Sequence, residues 1–313
     1  MTVCVAAMTN TGAIIGASDR MLTAGDVEFE PTQSKIFALS NSICVMTAGD
    51  SSVQAELLTT LYREMGDRIR AEPANWWLVK DVAYLYSKGY DELRRKRNER
   101  AILSPLGLTH ASFTASQQTM SESLVRMLTT ELLNFSLPGV ATIFAGADPT
   151  GTHLYVADGG DVSCLDNVGF AAIGVGRWHA NSQFMFAQHD RTKPAPDTLL
   201  LAYHAKKRAE VAPGVGSGTD MFTVGPQLGS YVLIPDEVIV ALEKMYRTRL
   251  SRERRASTKA NAEVNQYVQN LARTQVAPEQ EVAPKDAGGN PPPNQGELGD
   301  SGQEAQPENP AGA

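Results

Sequence analysis

The residues best suited to chemistry are a threonine and two isolated charges near the N-terminus. Thr2 follows the first methionine and leads into "VCVAAM", with no charge before Asp19 in "GASDR". Lys35 stands in "QSKIFAL", 35 − 19 = 16 residues further on, which suits two neighbouring strands joined by the excursion "RMLTAGDVEFEPT". A threonine hydroxyl is a poor nucleophile until a base accepts its proton. A free α-amine, with a pKa of about 7.7–8.0, can be that base near neutral pH. Taken alone, these residues have blander readings: Thr2 as the second residue of a first strand, and Asp19 with Lys35 as a structural ion pair.

Other catalytic signatures are missing from the sequence. It has no G-x-S-x-G elbow and no H-E-x-x-H pair, and His110, His153, His179, His189 and His204 lack ligand spacing. No metal and no cofactor is therefore expected. "GVGSGT" from Gly214 has the look of a phosphate loop but lacks its lysine. Cys4, Cys44 and Cys164 each lie in an apolar, strand-like segment. They are expected to be small buried hydrophobes in a reducing compartment.

The elements that must position these residues can be read from periodicity and turn chemistry. Short apolar runs "TVCVAAM", "GAIIGAS", "KIFAL" and "SICVMTAG", separated by "TNTG", "LTAGD" and "SNS", predict antiparallel strands. A helix is expected from Ser51, capped by Asp50 or Ser51, with Leu57, Leu58, Leu61, Tyr62, Met65 and Ile69 on one face. A second begins near Trp77, residues 101–118 read as an irregular connector, and a third helix spans about Thr119 to Asn134. Strands return in "GVATIFAGAD", "HLYVAD" and "VGFAAIG", then helices around "RWHANSQFMFAQ" and "DTLLLAYHAKKRAE". Strands "TDMFTVG" and "SYVLIP" precede a long helix over about 236–273, whose arginines read as a solvated face. This order predicts an α+β fold, a four-layer αββα sandwich of two antiparallel sheets.

The chain has 313 residues, 42% of them hydrophobic, enough for one large domain over 1–273. No apolar run approaches the roughly 18 residues of a membrane span, and a signal-peptide pattern is lacking, so a cytoplasmic location is expected. The formal charge is −7, but seven acids against Lys285 from Gln275 onward account for −6, leaving −7 − (−6) = −1 for the body. So near-neutral a body offers nucleic acid and membrane surfaces no electrostatic attraction. The acidic, Pro/Gly-rich stretch 274–313 is expected to be disordered.

From Thr2 to about residue 60 the sequence resembles the catalytic subunits of the proteasome core particle and of the bacterial HslV-type peptidase. The matching features, in order, are Thr2, a turn at Gly12, Asp19, Lys35 and "MTAGDSS" with Gly49. "FAAIGVG" and "GSGTDMFTVG" resemble later strands of that family, and about 101–134 has the character of an insertion. The resemblance implies an N-terminal-nucleophile hydrolase: a threonine-type endopeptidase acting on peptide or unfolded-protein substrates through Thr2, once removal of Met1 frees its α-amine. It further implies catalytic roles for Asp19, Lys35 and Ser217, substrate-backbone binding by Thr23, and a specificity pocket lined by Leu22, Gln33, Phe37 and Thr47. Lys35, held by Asp19, would disfavour a second ammonium and keep the amine neutral. The Gly49 N–H would hold the oxyanion. Assembly into a homo-oligomeric ring follows from the same resemblance. The chain has no ATP-binding motif, so any unfoldase would be a separate ATP-dependent partner.

Two positions depart from the family pattern. Val175 stands between Gly174 and Gly176 where a serine is common, and Gly214 stands where an aspartate is common. These departures keep two alternatives open, a non-catalytic ring subunit and a small-molecule amidase on the same fold.

Overall fold

The computed structural model describes residues 2–24, 27–32, 34–72 and 76–275. Strands β1 (Val3–Met8) and β2 (Ile14–Ser18) come first, and both are buried along their whole length. The excursion that follows carries a small hairpin of its own, β3 (Leu22–Ala24) paired with β4 (Val27–Phe29). Strands β5 (Ile36–Ala38) and β6 (Ile43–Gly49) lead into helix α1 (Ser51–Ala71). Asp50 is the N-cap of α1, accepting from the Ser52 and Val53 N–H groups at 3.0 and 2.9 Å. Helix α2 covers Val79–Asn98, α3 His110–Ser116 and α4 Glu122–Asn134. Strands β7 (Val140–Asp148), β8 (Gly151–Asp158), β9 (Asp161–Cys164) and β10 (Phe170–Gly174) follow. Helices α5 (Arg177–Phe186) and α6 (Ala195–Ala209), strands β11 (Asp220–Val224) and β12 (Val232–Leu233), and helix α7 (Asp236–Gln275) complete the order.

The structure is mixed α and β, with two five-stranded antiparallel sheets ordered β10-β1-β2-β11-β12 and β5-β6-β7-β8-β9. Successive side chains of a strand point to opposite faces, and both faces of both sheets are used. Along β1, Val3 and Val5 pack with Ala180, Phe184 and Ala202 of α5 and α6. Cys4 and Ala6 instead join a shared core with Cys44 and Met46 of the other sheet. On that sheet's far face, Val45 and Phe144 meet Leu57 and Leu61 of α1 and Val82 and Tyr86 of α2. Burial on both faces explains why the strands read as continuous apolar runs rather than alternating ones.

Three expectations need correcting. The connector over 101–118 is not irregular: a π-helical turn (Glu99–Leu103) and a 3₁₀ turn (Ser104–Leu106) lead into α3. Thr109 and Ser112 cap α3 reciprocally, and Leu103, Phe113 and Leu128 form a small core of their own. A serine at the third position of the capping box is a weaker sequence signal than the usual Glu or Gln. Cys164 is exposed rather than buried, because its strand-like segment forms β9, at the edge of its sheet rather than inside it. Tyr62 and Ile69, expected on the apolar face of α1, are exposed, the Tyr62 hydroxyl donating to Ala38 O at 3.1 Å. Helix α2 starts at Val79, close to Trp77 as expected, its first N–H bonded to Asp148 Oδ2 at 2.8 Å.

Residues through Glu253 form one compact unit, and the chain from Arg254 groups as a second. The described part of that second unit is helical, with Arg254, Arg255 and Lys259 exposed. The stretch expected to be disordered lies at its C-terminal side, and residues 276–313 are outside the described residues. Among the described residues no helix is long and apolar enough to cross a membrane.

Buried His204 on α6 accepts from Arg249 of α7 at 3.0 Å through Nδ1. Burial, then the charges of Arg249 and Arg208, pushes its pKa down to about 4. An unfolded histidine titrates near 6.5, so between about pH 6.5 and 4 the unfolded chain binds the extra proton. This contribution to stability is full above pH 6.5 and is lost as the pH falls toward 4. The Tm is therefore expected to fall from pH 7 to pH 5, and His204→Gln, which keeps an acceptor for Arg249, to flatten that slope. An equal slope in the variant, read by thermal unfolding across that window, would contradict the assignment.

Candidate active site

Strand register brings the three candidate residues together. β1 and β2 pair Cys4 with Ser18, and the Asp19 N–H bonds to Val3 O at 3.2 Å. The residue that precedes β1 therefore meets the residue that follows β2. Lys35 enters at the start of β5 from the other sheet. Thr2 Oγ1 donates to Asp19 Oδ1 and accepts from Lys35 Nζ, and Lys35 Nζ lies 2.9 Å from Asp19 Oδ1. All three side chains are buried, Asp19 completely.

A fully buried carboxylate is tolerated only when its oxygens are satisfied. Asp19 Oδ1 also accepts from the Val3 N–H at 2.9 Å, and Oδ2 accepts from the Met21 and Gly216 N–H groups, both at 3.0 Å. Thr2 is fixed through its backbone as well. Its carbonyl accepts from the Gly176 N–H at 3.3 Å, and a Cβ on Gly174, whose φ is +87°, would sit 2.3 Å from that oxygen. Only glycine suits position 174. Val175, between these glycines, is exposed and brings no hydroxyl to the site.

Thr2, Lys35 and Gly49 open onto a cleft of about 530 Å³. Leu22, Phe29, Phe37, Leu58 and Tyr62 give it an apolar wall. Thr23, Thr47 and Gln54 supply polar groups, with Thr47 Oγ1 bonded to Gln54 Oε1 at 2.9 Å. The buried Thr23 Oγ1 has no hydrogen-bond partner among the described residues. Gly49 ends β6 with φ +116°, and the next N–H, of Asp50, closes the ladder on Gly139 O at 3.0 Å. Antiparallel pairs alternate, so the Gly49 N–H is directed away from β7. The neighbouring Cys4 thiol does not compete as a nucleophile: burial first, then Asp19, pushes its pKa up against the opposing pull of Lys35.

Of the residues predicted from sequence, Thr2, Asp19, Lys35, Leu22, Thr23, Phe37, Thr47 and Gly49 converge on this site. Gln33 lies outside the described residues. Ser217 does not join Thr2. It is exposed, and its hydroxyl donates to Glu30 Oε2 at 3.3 Å. The Gly216 N–H is directed at Asp19, which leaves the next side chain facing outward. Phe29, Gln54 and Gly216 were missed as site residues. Only Gln54 carried a sequence signal, its capping-box spacing from Ser51, and that signal pointed to a helix start rather than to a cleft. Among the described residues no group of three or more His, Cys, Asp or Glu is placed to hold a metal ion.

The chain matches no known protein-family model, and no curated protein is significantly similar to it.

Proposed function

We propose that this protein is a threonine-type endopeptidase with Thr2 as its nucleophile, built on a four-layer αββα sandwich of the N-terminal-nucleophile hydrolase kind. The observation that carries the reading is the placement of one hydroxyl, Thr2 Oγ1, between Lys35 Nζ and Asp19 Oδ1 at the edge of the cleft. An ion pair kept only for stability has no need of a hydroxyl facing a cavity.

With Met1 removed, the Thr2 α-amine takes the hydroxyl proton while Oγ1 attacks the peptide carbonyl. The oxyanion is held by the Gly49 N–H, and the Lys35 ammonium stabilises the negative charge on Oγ1. Collapse breaks the C–N bond, the leaving amine takes the proton from the α-ammonium, and an ester on Thr2 remains. Water, deprotonated by the same amine, hydrolyses that ester and restores the hydroxyl. The apolar wall favours an apolar side chain before the scissile bond. A homo-oligomeric ring and a separate ATP-dependent unfoldase belong to the same reading and rest on the resemblance; a cytoplasmic location is part of the same proposal.

A second reading, a non-catalytic ring subunit, is favoured by Val175, which provides no hydroxyl beside Thr2, and by the diversion of Ser217 to Glu30. Intact mass followed by reaction with a β-lactone or peptide epoxyketone separates the two. Loss of Met1 and one adduct mapped to Thr2 is expected of the peptidase. Retained Met1 on folded protein, or no adduct, overturns it.

A further inference from the structure

We propose that Lys206 is a positioning residue for the Thr2 site, a built-in cation that holds the Gly216 N–H on Asp19. The inference rests on the threonine-nucleophile reading for its catalytic consequence, but its structural half stands alone. Lys206, on α6, is completely buried. Its ammonium has three donors and uses each: Gly216 O and Ser217 O at 2.9 Å, and Glu210 Oε1 at 2.6 Å. Gly216 is thus gripped at both ends, its carbonyl by Lys206 and its N–H by Asp19 Oδ2 at 3.0 Å.

The loop is also clamped from outside. Glu30 accepts from the Gly218 N–H at 3.1 Å and from the Ser217 hydroxyl. A Cβ on Gly216 would lie 1.9 Å from Glu30 Oε1 and 2.9 Å from Met21 Cβ, so a side chain there would have to displace both. Burying an ammonium is costly unless its partners are well placed. Holding two loop carbonyls could be done by water at far lower desolvation cost. A cation there also acts on Asp19, whose charge Lys206 feels. The arrangement sets both the position and the potential of the carboxylate that receives Thr2 Oγ1.

Glu210 keeps Lys207 as a partner at 2.7 Å, so Lys206→Met does not orphan it. In that variant the amide of Gly216 is expected to lose protection from hydrogen exchange. The limiting rate of β-lactone labelling is expected to fall about 10- to 100-fold, with the half-saturating concentration unchanged. Folded Lys206→Met that keeps wild-type protection at Gly216 and the wild-type labelling rate overturns the proposal. Wild-type protein that takes no label sinks the peptidase reading instead, and the exchange arm still decides whether Lys206 holds the loop.

Glu210→Gln guards against a Lys206→Met chain that does not fold. Burial lowers the Lys206 pKa; of the charges acting on it, Glu210 and Asp19 favour its ammonium and Lys207 opposes it. Removing the Glu210 charge lowers that pKa further. The alkaline decline of labelling and of Gly216 protection is therefore expected at lower pH than in wild type. An unmoved decline would show that the Lys206 charge does not govern the loop.

Discussion

Thr2→Ala is expected to keep the fold and lose all covalent labelling, whereas Lys35→Met is expected to lose labelling together with about 3–5 kcal/mol of stability. The contrast follows from what each change leaves behind. Without the Thr2 hydroxyl, Asp19 Oδ1 still accepts from Lys35 at 2.9 Å and from the Val3 N–H at 2.9 Å. No buried group is orphaned, so stability changes little. Without the Lys35 ammonium, the completely buried Asp19 keeps its backbone donors but loses its counter-charge. Breaking one side of a buried pair is costly because the remaining charge is neither solvated nor paired. Urea unfolding and adduct mass measured side by side check both halves. Labelling that persists in Thr2→Ala would assign the nucleophile elsewhere. A Lys35→Met midpoint equal to wild type would mean that the pair is not desolvated in solution.

Gly49→Ala should reduce the acylation rate by about 10²–10³-fold, the range typical of a lost oxyanion donor. A Cβ there would lie 2.1 Å from Gly139 O and 2.9 Å from Val140 Cα, and a φ of +116° is one that L side chains rarely adopt. The end of β6 must shift off β7, and the N–H moves with it. Position 139 supplies the control, because nothing lies within 4 Å of a Cβ built on Gly139. Single-turnover acylation should therefore be near wild type in Gly139→Ala and slow in Gly49→Ala. Equal rates in the two variants would remove Gly49 from the oxyanion role.

Much of this site was legible before any coordinates. Thr2, Asp19 and Lys35 stand out because each is a polar residue at the edge of an apolar run, and strand boundaries are local features of sequence. The Asp50 cap and the inward Leu57, Leu58, Leu61 and Met65 of α1 were likewise set by neighbours a few residues away. In the same way, the sequence alone determined that a hydroxyl, a carboxylate and an ammonium would be available at strand ends.

What only the tertiary structure decided are contacts between residues far apart in the chain. The Gly216 N–H reaches Asp19 across 197 positions, and Glu30 meets Ser217 across 187. No periodicity encodes such a meeting. It arises because β11 pairs with β2 and because α6 packs on the same sheet. The same packing turned Ser217 outward, while in the other sheet the order β5-β6-β7-β8-β9 placed Cys164 on an edge strand. The chain's own residues thus name the reacting groups, whereas sheet pairing sets the second layer of hydrogen bonds around Asp19, because those donors are backbone groups, which every residue except proline carries.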